Sequence, residues 1–64
     1  MQYTEVVNHL NDKARYKLSN MMAHGYEIKT AIYDRLGCNV IIERGDKLYM
    51  INEVGDVYQM QKCL

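Results

Sequence analysis

Glu43-Arg44-Gly45-Asp46-Lys47-Leu48-Tyr49-Met50-Ile51-Asn52-Glu53-Val54-Gly55-Asp56-Val57-Tyr58-Gln59-Met60 says nearly the same thing twice. Each half has a glutamate, a Gly-Asp pair and then a tyrosine, and both pairs lie between β-branched and aromatic runs. Glycine at the first central position of a two-residue loop, followed by a small polar residue, suits a type II′ hairpin turn. The repeat therefore predicts two successive hairpin corners. Arg44-Gly45-Asp46 also spells an adhesion tripeptide, but that reading needs an extracellular chain and nothing in the sequence supports secretion.

Working back from these corners, Tyr26, Ile28, Thr30 and Ile32 alternate with Glu27, Lys29 and Ala31, the period of a half-buried strand. Leu36-Gly37-Cys38 reads as a turn and Val40-Ile41-Ile42 as a second strand. Before Gly25 the period is helical. Val7, Leu10, Ala14, Leu18 and Met21 form one apolar stripe flanked by Val6 and Met22. Thr4 suits an N-cap, Glu5 suits the positive end of the helix dipole, and His24-Gly25-Tyr26 is a stop signal. The expectation is an α+β fold, with one N-terminal amphipathic helix packed on a four-stranded antiparallel β-meander. The helix runs over about 4–24 and the strands over about 26–35, 39–44, 47–53 and 57–62, in a single domain spanning 1–64.

The turns also assign faces, because directly opposed residues share one. A Gly45-Asp46 loop sets Ile42 opposite Tyr49 and Val40 opposite Ile51. A Gly55-Asp56 loop sets Ile51 opposite Met60 and Glu53 opposite Tyr58. The face under the helix then holds Val40, Ile42, Tyr49, Ile51, Tyr58 and Met60, and a three-residue first loop adds Tyr26, Ile28 and Ile32. The opposite face holds Tyr33, Ile41, Leu48, Met50 and Val57 with Glu43, Asn52 and Gln59. One helix cannot cover both sides of a sheet, and an apolar centre inside a polar rim is how an interaction surface is built.

Composition limits the alternatives. A chain of 64 residues has one small core and buries only about 60% of its unfolded surface, so oligomerisation or a partner would help stabilise it. Cys38 and Cys63 read as reduced thiols, since no apolar leader opens the sequence, and a cytoplasmic location is expected. His9 and His24 are far apart and no metal-ligand spacing accompanies them, so neither metal nor cofactor is expected. No apolar run approaches a membrane span of about 20 residues.

Catalysis finds little support. Ser19 is the only serine and sits on the predicted helix, the carboxylates are spread singly, and no glycine-rich phosphate loop is present. Cys38 and His24 could in principle meet in space as nucleophile and base, but no motif supports the pair. The function expected is a non-catalytic protein-binding module. It would associate with itself as a dimer, or bind a host protein as phage or mobile-element accessory proteins of this size do, through Tyr33, Ile41, Leu48, Met50 and Val57. The alternative is nucleic-acid binding through a basic stripe of His9, Lys13, Lys17, Asn20 and His24, which a formal net charge of zero does little to favour.

Overall fold

The computed structural model describes residues 2–35 and 37–61. Cys63, the Leu36 of the first turn and the last residue of the expected strand 57–62 lie outside them. The chain begins with a short helix α1 (Tyr3–Val6), a 3₁₀ turn (Val7–His9) and the helix α2 (Asp12–Ala23). Four strands follow, β1 (Glu27–Asp34), β2 (Gly37–Arg44), β3 (Lys47–Asn52) and β4 (Val57–Met60). They form one antiparallel sheet in the order β1-β2-β3-β4. The predicted α+β meander is the fold observed.

The helix departs from expectation in being broken. A continuous helix over about 4–24 does not form, because Leu10 and Asn11 are extended and a new helix starts after them. Asn8, His9, Asn11 and Asp12 all have weak helix propensity, and asparagine is among the strongest N-caps. Asn11 uses that capacity, its Oδ1 accepting the Ala14 backbone N–H at 2.9 Å. Its own N–H donates to the Glu53 carbonyl at 2.9 Å, tying the break to the loop between β3 and β4. Arg15 Nε donates at 2.9 Å to the Val7 carbonyl, which also accepts the Leu10 N–H at 3.3 Å. Thr4 is not the cap of α1 either: Gln2 holds that position, and its N–H donates to the Glu5 carboxylate. The expected stop at the other end forms in full. Tyr26 N–H donates to Met21 O and Gly25 N–H to Met22 O, the paired bonds of a Schellman motif.

Val6, Leu10, Ala14 and Leu18 come from the helical layer, and Ile28, Cys38, Val40, Ile42 and Ile51 from the sheet. Together they make one buried cluster in which Val6, Ala14, Leu18, Val40, Ile42 and Ile51 have no exposed surface. Register explains the sheet half. Ile42 faces Tyr49 and Val40 faces Ile51, as a two-residue Gly45-Asp46 loop requires. No buried polar side chain interrupts the cluster among the described residues.

The two outer pairings differ from expectation, and each inverts part of a face. In β4, Ile51 pairs with Val57 and Leu48 with Met60. Val57 and Gln59 therefore lie on the helix side, and Tyr58 and Met60 on the other. The cause is a three-residue loop, Glu53-Val54-Gly55, closed by Gly55 N–H to Asn52 O and Asn52 N–H to Asp56 O. That is a turn followed by a left-handed residue, with Gly55 third in the loop rather than first. In β1, Tyr33 pairs with Cys38, Ala31 with Val40 and Ile32 with Asn39. Tyr33 is on the helix side and Ile32 opposite, the reverse of expectation. The first turn joins Asp34 to Gly37, and a bulge at Lys29 lets Ile28 keep its core place beside Ile42.

Candidate functional site

The site is the sheet face that α2 does not cover. By register it carries Glu27, Thr30, Ile32 and Asp34 from β1 and Asn39, Ile41 and Glu43 from β2. From β3 and β4 it carries Leu48, Met50, Asn52, Tyr58 and Met60. No described helix lies over it, since the buried helical residues all join the cluster on the opposite face. Ile41 and Leu48 are nevertheless only 8% exposed, shielded by their neighbours on the sheet. They form the floor rather than the contact surface.

The accessible part is a groove of about 430 Å³ crossing the sheet. Ile32 and Asp34 line one side, Tyr58 and Val54 the other, and Asn39, Met50, Asn52 and Glu53 the space between. Ile32 is 48% exposed, Val54 50% and Tyr58 49%. Polar groups at the margin are anchored. Asn39 Nδ2 donates to Asp34 Oδ2 at 3.0 Å, and Asn52 Oδ1 accepts the Asp56 N–H at 2.9 Å and the Val54 N–H at 3.2 Å. Glu53 Oε2 accepts the Cys38 N–H at 3.2 Å, which turns that carboxylate from the loop back towards β2. The loop that carries Val54 is thus held by side-chain bonds from Asn52.

Of the residues expected at an interface, Ile41, Leu48 and Met50 lie on this face. Tyr33 and Val57 lie on the other. Tyr33 packs edge-on against the His9 ring, with 5.1 Å between centroids, and Val57 sits beside Ile51 at the open edge. The groove is also lined by Ile32, Tyr58 and Val54, which the sequence reading does not place on this face. The expected loop lengths set the first two under the helix, and Val54, between the expected strand end at 53 and the Gly55-Asp56 turn, is assigned to neither face.

The basic stripe is only partly assembled. Lys13, Lys17, Asn20 and His24 follow one side of α2, at spacings of four, three and four residues. His9 belongs to the preceding 3₁₀ turn, with its ring on Tyr33. His24 Nδ1 lies 2.7 Å from the Asn20 carbonyl oxygen, and the His24 carbonyl accepts Arg44 Nη1 at 2.7 Å, so the stripe ends in local bonds. Arg44 also packs over the Tyr26 ring at 4.8 Å. The arginine of the Arg-Gly-Asp tripeptide thus caps a helix.

Cys38 and His24 do not meet. His24 lies beside Arg44 at the far end of β2, six residues from Cys38, or about 20 Å of strand. Burial pushes the Cys38 thiol up, the Glu53 carboxylate adds to this, and a hydrogen bond with Tyr33 opposes it. A thiol held neutral and 2% exposed is a core group. Among the described residues no cluster of histidine, cysteine and carboxylate side chains could hold a metal, and no helix is long and apolar enough to cross a membrane.

Comparison with known proteins adds no identity. No family model matches the chain, and no curated protein or solved structure matches it. Any statement of function rests on the geometry above.

Proposed function

We propose that this chain is a non-catalytic protein-binding module that docks a polypeptide on the uncovered sheet face. One observation carries the reading. Single exposed apolar side chains are ordinary on a protein surface. Here Ile32, Val54 and Tyr58, each about half exposed, converge with Met50 on one groove whose polar margin is hydrogen-bonded. Convergent apolar walls with a few fixed polar groups are the usual make-up of a binding site. Met50 adds an unbranched side chain that can repack around different partners.

Binding places the contact energy on few residues. Tyr58 supplies a broad ring with little rotamer entropy to lose, and Ile32 supplies the facing wall. The face is small, within a molecule measuring 30 × 26 × 19 Å, so the contact belongs to the smaller, reversible class of interfaces.

Peptides selected from a random display library against the folded chain test this, with binding located by amide shift perturbation. The expected shifts gather on Ile32, Met50 and Tyr58, and Met50→Glu abolishes binding while the circular dichroism spectrum is unchanged. Shifts that gather instead on Lys13 and Lys17 of α2 would overturn the reading.

A further inference from the structure

The formal charge of zero conceals a division between the two sides of the molecule. The uncovered face and its groove carry the carboxylates Glu27, Asp34, Glu43 and Glu53. The cations beside them are Lys29 at the bulge, 3.9 Å from Glu43, Arg35 in the first turn, and Arg44, which shares a shallow depression at the sheet end with Glu27 and Glu43. The helical side is the reverse. Lys13, Arg15 and Lys17 on α2, with Lys47 at a helix-side register position, outnumber Glu5 and Asp12. The acids of the sheet face also have an order. Glu27 and Glu43 stand in one cross-strand row with Leu48 and Met60, while Asp34 stands near the opposite end and Glu53 beside it in the groove. Carboxylates therefore flank the apolar stretch at both ends.

Resting on the docking reading above, we infer that the occupant of this face is a cationic amphipathic segment of another protein, with an apolar stripe bordered by lysine or arginine. A second copy of this chain is the poorer fit. Face-to-face packing of two copies would bring two acidic margins together at the edge of a small apolar contact, and like charges so placed disfavour association. A cationic segment meets the same carboxylates favourably. Asp34 bonds Asn39, Glu43 pairs with Lys29 and Glu53 accepts the Cys38 N–H, and a carboxylate with about four acceptor positions can take a cation beside such partners. The dimensions suit a helix. The groove from β1 to β4 spans three strand spacings, about 14 Å, and about 10 residues of helix cover that length.

Two designed helical peptides that share one leucine stripe test the inference, one flanked by lysine and the other by glutamate. Fluorescence anisotropy is measured at low salt and at about 0.5 M, where screening reaches only about 4 Å. The lysine peptide is expected to bind about tenfold more tightly at low salt, with the gap closing at high salt. Glu27→Gln with Asp34→Asn, both at exposed positions, is expected to narrow the gap several-fold. Equal binding of the two peptides, lost in Tyr58→Ser, overturns the cationic chemistry and leaves the docking face standing. Binding that survives both Ile32→Ser and Tyr58→Ser overturns the docking face as well. Failure of both peptides to bind, or a dimer by light scattering that Met50→Glu dissociates, overturns the inference.

Discussion

Gly45-Asp46 and Gly55-Asp56 are the same dipeptide in two corners of one sheet, and they do different work. Gly45 opens a two-residue turn between Arg44 and Lys47 with φ +59°, and a side chain placed there would meet no atom within 4 Å. Only its backbone angle calls for glycine. Gly55 closes a three-residue loop with φ +94°, and a Cβ there would lie 2.7 Å from Lys13 Cγ and 3.1 Å from the Ala14 backbone nitrogen. The second corner is pressed against the first turn of α2, which Asn11 joins to Glu53. One corner is a local solution to reversing a chain, the other a tertiary contact. A difference of one residue in loop length sends the following strand's side chains to opposite faces.

That contrast has measurable consequences. Gly55→Ala combines an unfavourable φ with a close contact and should cost about 2–3 kcal/mol, lowering the melting temperature by roughly 10–20 °C. Gly45→Ala meets the angle penalty alone, and a loss of about 1 kcal/mol is expected from its urea midpoint. If the two variants lose the same stability, the second corner is no more than a turn. The smallest effect is the most discriminating. Lys13→Ala removes the Cγ that a Cβ at Gly55 would strike, so it should recover about 0.5 kcal/mol in the Gly55→Ala protein. In the Gly45→Ala protein it should recover nothing, and a double-mutant cycle by chemical unfolding measures both.

The same contrast explains which parts of the molecule were legible in the sequence. The Gly45 corner depends on nearest neighbours, so the β2–β3 register could be read, and with it the placing of Ile41, Leu48 and Met50 on the uncovered face. The Schellman end of α2 is equally local. The Gly55 corner depends on Asn52 bonding to Val54 and Asp56 and on α2 lying against it, neither of which a Gly-Asp pair announces. Val57, Tyr58 and Met60 were inverted as a result. At the other edge, the turn joining Asp34 to Gly37 is shorter than the expected three-residue loop and exchanges Ile32 and Tyr33, while the Lys29 bulge, which leaves no mark in the alternation of residues 26–32, keeps Ile28 in the core. Ile32, Val54 and Tyr58 of the candidate site depend on these two edges of the sheet. The break at Leu10-Asn11 did have a signal, in the weak helix formers of residues 8–12, but the apolar stripe runs straight through it.

Arg44 joins three parts of the chain that are distant in sequence. Its guanidinium holds the carbonyl of His24, the C-cap of α2, and covers the Tyr26 ring, while its backbone pairs with Lys47 beside the tight hairpin turn. Tyr26 in turn packs edge-on against Tyr49 in β3, with centroids 5.8 Å apart. Amide protons on these segments should then exchange with solvent in a common opening event, the Tyr26 N–H of the helix end at nearly the rate of the ladder amides next to Gly45. A small two-layer domain would gain from this a shared opening unit at one end, in which fraying of the helix terminus is coupled to the hairpin.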